Sequence, residues 1–372
     1  MIFSPLWNLG FRPFFLLAGG FAVVALLLWA SQLAGIGAAY HGSAWHAHEM
    51  VFGYTLAVIV GFLFTAVRNW TGQPTPRGIP LMGIAGLWLA GRLLAFTPGY
   101  AWSGVADAVF TLAAAVGIGV PLWRSGNRRN FFMAGLLLAF GADDLAFILA
   151  DAGQVPWAPE NALRWALDLV LLLMVIMGGR VIPMFTANAM AGVQTRRVVW
   201  LERAALGSVL GLFLLDLLPF LAFWQGLLSL LAMVLHGGRL WLWQPWRTLK
   251  VPLLWILHAA YAWIVLHLGL RALALWGVLP MDAATHALTV GGIGALTLGM
   301  MTRVSRGHTG RPLVVGAMER WAYGLILLAA LVRQMPGVFV RVSGLLWGFA
   351  FLLFVLRYFP ILTTPRMDGR DG

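Results

Sequence analysis

The stretch WHAHEMVFGYTLAVIVGFLFTAV, Trp45 to Val67, sets His46, His48 and Glu49 at the head of a run apolar enough to cross a membrane. Ionisable groups are costly beside lipid and persist there where something holds or uses them. Imidazoles and a carboxylate are ligands for a metal ion or a cofactor, and Glu49 can also fix a ring tautomer or relay protons. On an α-helix, positions i and i+2 lie about 200° apart. His46 and His48 therefore point to different faces, so one helix can serve two centres. His286 heads a later apolar run, His258 and His267 lie within another, and His236 and His308 sit at the opposite helix ends. Each is a candidate metal ligand, read against the ordinary role of an interfacial, hydrogen-bonded histidine. The adjacent acids Asp143 and Asp144 form either a proton site or a counter-charge network, and with Glu49 they are the candidate catalytic acids.

The elements that must position these groups follow from composition. The chain is 61% hydrophobic and 10% charged, with a mean hydropathy of +0.85. Apolar runs long enough for a ~30 Å hydrocarbon core centre on residues 13–33, 48–67, 79–96, 103–122, 131–150, 165–187, 201–222, 224–242, 252–277, 284–302, 320–338 and 341–360. The expectation is an all-α polytopic membrane protein of twelve transmembrane helices, forming one integral membrane domain over 1–372. The net charge of +12 is topological. With both termini inside, every Lys and Arg except Arg92, Arg164, Arg271, Arg333 and Arg341 falls on the inner side, as the positive-inside rule requires. Most acids, among them Glu49, Asp107, Asp143, Asp144, Asp168, Asp216 and Asp282, fall in the outer half. Asp107 carries no other role in this reading. The basic excess is therefore no nucleic-acid footprint, and the lipid bilayer is the expected partner. There is no cysteine, which excludes disulfides, iron–sulfur clusters, thiolate-ligated haem and covalent c-type haem.

An internal repeat links two of the histidines. HEMVFGYTLAVIVGFLFTAVRNWTGQP (48–74) aligns without a gap on HALTVGGIGALTLGMMTRVSRGHTGRP (286–312), matching His48 to His286, Gly53 to Gly291, Arg68 to Arg306, and closing on a shared T-G-x-P. A fainter echo on the sixth run puts Asp168 near the histidine position. Three four-helix units, about 1–125, 126–245 and 246–372, account for twelve helices, either as functional symmetry or as ancestral duplication.

Histidines at the outer ends of helices 2 and 10, with an H-x-H on one of them, resemble the haem–copper oxidase architecture. That resemblance implies a haem between those helices but not oxygen reduction, because helices 6 and 7 lack the copper-site histidines. A closer resemblance, over most of the chain, is to the NnrS family of bacterial membrane proteins, which bind haem and copper and are linked to nitric oxide metabolism. It rests on GFRPFFLLAG (10–19), WHAHEMVFGY (45–54), GFLFTAVRNWTG (61–72), GRVIPMFTAN (179–188), WILHAAYAWIVL (255–266) and HALTVGGIGALTLGMMTRVSRGHTGRPL (286–313).

The resemblance implies one or two b-type haems, copper, and a place in the bacterial cytoplasmic membrane. On that reading His48 and His286 are axial ligands of one haem, and His46, with His267 as partner, serves a second haem or copper. Arg92 and Arg271 are candidate propionate partners, since an arginine fork suits a carboxylate. The implied activity is binding and reduction of nitric oxide in denitrification or stress defence, with electrons from quinol or another carrier. A non-enzymatic haem sensor or sequestering protein and a proton-coupled transporter are the alternatives.

Overall fold

Each of the twelve apolar runs is a helix in the computed structural model, which describes residues 4–33, 42–97, 101–190, 192–218 and 221–369. His41, which the sequence places in the loop before the second apolar run, lies outside the described residues. The helices are α1 (Phe11–Leu33), α2 (Gly42–Thr71), α3 (Ile79–Leu94), α4 (Ala101–Arg124), α5 (Phe132–Asp151), α6 (Pro159–Ala189), α7 (Val199–Asp216), α8 (Ala222–Leu242), α9 (Pro252–Leu275), α10 (Met281–His308), α11 (Ala317–Val332) and α12 (Val338–Thr363). Eight of them (α1, α2, α4, α5, α6, α9, α10 and α12) are long and apolar enough to span a membrane. The protein is a polytopic membrane protein. The other four differ for visible reasons: α3 and α11 have 16 residues each, while α7 and α8 carry Glu202, Arg203, Asp216, His236 and Arg239.

The aligned repeats share an unusual backbone. Directly after His48, α2 widens into a π-helical segment, Glu49–Thr55. Directly after His286, α10 does the same over Ala287–Gly294. Such segments are rare and often lie at functional sites. In α2 the hydroxyl of Thr55 donates to the Met50 carbonyl at 2.7 Å, spanning five residues and fastening the wide turn. The T-G-x-P closures also match. Gly72 and Gly310 adopt left-handed φ of 65° and 71°, a conformation that costs a glycine little. Thr71 and Thr309 each donate to the carbonyl four residues back, both at 2.7 Å.

The chain divides into two compact units. The first comprises residues 1–166, 301–313 and 351–372. Its core holds the buried rings of Phe14, Phe15, Phe64 and Phe110, admitted where Gly10 and Gly61 leave no room for a Cβ against Phe64 and Phe14. Arg12 is buried there and donates through one nitrogen to the carbonyls of Leu362 and Thr364, both at 2.8 Å. This gives the GFRPFF motif a structural role. The second unit comprises residues 167–300 and 314–350. Its core includes Trp243, Tyr261, Ile264 and Tyr323, and Gly291 lies flat against the Trp263 indole.

Candidate functional site

His46 and His48 diverge as the helix geometry requires. His46 stacks on Trp29 of α1, ring centroids 4.6 Å apart and planes 13° off parallel. His48 turns toward α5 and is fully buried. Its Nε2 lies 2.7 Å from Asp144 Oδ1 and its Nδ1 lies 3.1 Å from Glu49 Oε1. The rings of Phe52 and Phe147 flank it at 5.1 and 4.9 Å.

Two further side chains complete the cluster. Arg92, near the end of α3, sets its Nε 2.8 Å from Glu49 Oε2 and donates to Asp107 of α4 through a short hydrogen bond. Gly91 lets Asp107 approach, because a Cβ there would meet its carboxylate at 2.6 Å. The Trp88 indole donates to the Gly53 carbonyl at 2.9 Å, pinning the π-helical segment to α3. Ends of α3 and α5 and beginnings of α2 and α4 thus meet at one point, as antiparallel neighbours must.

The electrostatics are unbalanced. Glu49, Asp107 and Asp144 are each at most 1% exposed, and among the described residues only Arg92 and a protonated His48 oppose their charge. A buried uncompensated charge costs several kcal/mol. Among the described residues Asp107 Oδ1 and Asp144 Oδ2, both buried, have no hydrogen-bond partner, and neither does Oδ2 of the adjacent Asp143. One donor atom each from His48, Asp107 and Asp144 lies within 4.8 Å of the others. A cation bound among them, or protons shared between them, removes the imbalance. One imidazole nitrogen and two carboxylates suit a divalent ion such as ferrous iron, manganese or zinc better than copper(I), which prefers soft donors.

The remaining candidates fall into three groups. Arg271 of α9 bridges Asp168 of α6 at 2.7 Å and Asp216 of α7 at 2.6 Å, all three buried. One turn before Arg271, His267 donates Nδ1–H to the Ala284 carbonyl at 2.8 Å. Its Nε2 is buried without a partner among the described residues. His286 sits at a more open position, its Nδ1 2.9 Å from Asp282 Oδ1 and its Nε2 3.1 Å from an Arg333 nitrogen. The third group is His236, which faces the Tyr261 hydroxyl at 2.7 Å and the Ala205 carbonyl at 3.0 Å. Arg239 donates to the same hydroxyl at 2.7 Å and forks onto Glu202. His258 meets the Thr186 hydroxyl at 2.9 Å, leaving Nδ1 buried and unpartnered. His308 is near Asn69 at 3.5 Å and packs on Phe11.

The structure therefore joins His48, Glu49, Asp144 and Arg92 of the expected set and adds Asp107. Reading the sequence did not find Asp107, Arg239, Tyr261 or Glu202. The available signal for Asp107 was a carboxylate inside the apolar run VADAVFTL, which marks function more often in a membrane than in water. A haem axial ligand needs a free ring nitrogen. At His48 both nitrogens face carboxylates, and at His286 both face Asp282 and Arg333. His267, its Nδ1–H anchored on a backbone carbonyl and its Nε2 free, has the posture of a metal-ligating histidine.

A family model described as NnrS protein matches residues 5–366 of the chain. No curated protein matches it.

Proposed function

This chain belongs to the NnrS family, and from that premise we propose that it is a metal-dependent membrane protein that binds and reduces nitric oxide. The observation that carries the reading is the buried cluster of His48, Asp107 and Asp144, whose donor atoms converge while two carboxylate oxygens stay unpartnered. In this reading His48 Nε2, Asp107 and Asp144 hold the ion. Glu49 accepts from His48 Nδ1–H and so keeps Nε2 as the ligating nitrogen. Arg92 ties Glu49 to Asp107 and fixes the spacing of the donors.

A redox-active ion held there would supply a binding point and an electron path for nitric oxide. Two molecules of nitric oxide take two electrons and two protons to give N2O and water. Asp143, with a free carboxylate oxygen beside Asp144, is positioned to pass protons toward the cluster. The electrons come from quinol or another membrane carrier. A b-type haem fits His267 better than His48 or His286, because only His267 of the three offers an unpartnered ring nitrogen. Haem at that position would add a second redox centre and a second binding point for nitric oxide. The reading also has all twelve helices crossing the bacterial cytoplasmic membrane, with both termini on the inner side.

Purified protein is assayed by metal analysis, optical spectrum and anaerobic turnover of nitric oxide to N2O. His48→Ala is expected to lose the non-haem ion and N2O formation while keeping any haem band. His267→Ala is expected to lose the haem band and keep the ion. Nitric oxide binding without N2O would reassign the protein to sensing or sequestration. A second reading, proton-coupled transport, is favoured by the internal repeat shared by α2 and α10 and the buried Arg271 with its two carboxylates, features that recur in carriers. Solute uptake by reconstituted vesicles under a pH gradient, with no N2O produced, decides for it.

A further inference from the structure

An apolar groove of about 540 Å3 runs along the outer faces of α4 and α5 within the first unit. Its floor is made of small residues, Ala115 and Gly119 from α4 with Ala134 and Gly135 from α5, and Leu112 and Leu138 wall it. From Leu112 to Trp123 the groove follows α4 for roughly 17 Å at 1.5 Å per residue. At its end the rings of Trp123 and Phe131 stand 6.2 Å apart, and Arg124 lines the opening. The turn that follows brings up Arg128 and Arg129, held close by Asn127 N–H donating to the Leu122 carbonyl at 3.0 Å and by a left-handed Gly126. All three arginines are exposed. Among the described residues none of them forms an ion pair, whereas the buried Arg92 and Arg271 are each paired with two carboxylates.

We propose that this groove binds an anionic phospholipid, one acyl chain lying over Gly119 and Gly135 and the phosphate seated among Arg124, Arg128 and Arg129. The floor of small residues gives a chain-width slot, and three uncompensated guanidiniums at its mouth select a negative headgroup over a zwitterionic one. A neutral quinol would use the slot but leave the arginines unmatched. Each basic residue near a membrane surface contributes about a fivefold preference for anionic lipid, so three together give on the order of 100-fold. The site is independent of the ion cluster and stands or falls separately from the proposed reduction of nitric oxide.

The test is native mass spectrometry of the full chain with phosphatidylglycerol and phosphatidylcholine of identical acyl chains. The expected result is one retained phosphatidylglycerol, preferred by on the order of 100-fold. The triple variant Arg124→Gln, Arg128→Gln, Arg129→Gln, confined to exposed side chains, should bind both lipids alike. Gly135→Leu puts an isobutyl group into the slot from a position with nothing within 4 Å of its Cβ, and should release the lipid while helicity is retained. Equal retention of phosphatidylcholine by the unaltered protein would overturn the proposal. So would an unchanged preference in the triple variant, displacement of the lipid by inorganic phosphate alone, or a quinone analogue retained in its place.

Discussion

His48 and His286 hold the same position in the repeat, each immediately before a π-helical segment. His48 is sealed among Glu49, Asp107 and Asp144, while His286 keeps 22% of its side chain exposed beside Asp282 and Arg333. The backbone device is common to both copies, so it cannot be what sets the chemistry. The neighbours set it. Around α2 they contribute Arg92, Asp107 and Asp144, whereas the π-helical segment of α10 beds on apolar Trp263 and Ala330. The two copies of the repeat thus share a way of presenting a side chain and differ in what the flanking helices place around it.

Six substitutions break or sharpen this contrast. The largest expected effect is from Arg92→Gln, which leaves Glu49 and Asp107 buried without their counter-charge. Removing one partner of a buried pair costs about 3–5 kcal/mol, read as a large fall in the unfolding midpoint in detergent. Arg333→Gln, on a pair whose Asp282 is 57% exposed, should cost about 0–1 kcal/mol. Comparable losses from the two would remove the distinction between the sites.

Next comes Asp107→Asn, which keeps the shape of the cluster and removes one proposed donor. Ion affinity measured by competition with a chelator should fall by at least the roughly 10- to 100-fold that loss of an outer-shell partner brings. Unchanged affinity would mean that Asp107 serves only to neutralise Arg92.

Smaller effects follow from the two π-helical glycines. A Cβ on Gly291 meets the rigid Trp263 indole at 2.3 Å, whereas on Gly53 it meets Phe21 at 2.7 Å and the movable ends of Arg92 and Glu49 at 3.0 Å. Overpacking costs about 1–3 kcal/mol, so Gly291→Ala should lie at the upper end and Gly53→Ala at the lower. Gly53→Ala alone should also weaken ion binding, because it displaces two members of the cluster. Last, His286→Gln should leave ion content unchanged and shift stability by less than about 1 kcal/mol. Loss of the ion in that variant would show that the two histidines share a site.

The helices were legible because a span must be a long apolar run, and runs of that length leave few alternatives. The divergence of His46 and His48 was legible from helix geometry alone, since residues 42–48 are regular α-helix. The π-helical segments were not. Nothing in EMVFGYT or ALTVGGIG marks an extra residue per turn, and the widening is stabilised by tertiary partners such as Trp88. The pairing of Arg92 with Asp107 was hidden for a similar reason. The order of the apolar runs puts both in the outer half, but which carboxylate an arginine meets depends on how α3 and α4 rotate about their axes. His48 and His286 were assigned a common partner because they share a sequence position, and the residues around each could not be read from that position.

Arg12 carries a consequence for how the chain is made. The carbonyls that accept its hydrogen bonds, at Leu362 and Thr364, lie 350 and 352 residues later. At about 5–20 residues per second, synthesis needs roughly 20 to 70 s to deliver them. During that interval a guanidinium near the start of the first helix has no native acceptors, and a charge in that position resists the bilayer interior. The first helix is therefore expected to stay shallow, or in the keeping of the insertion machinery, until the twelfth arrives. A chain truncated before residue 362 and released from the ribosome should leave Arg12 reachable by a water-borne guanidine reagent, and the full chain should not.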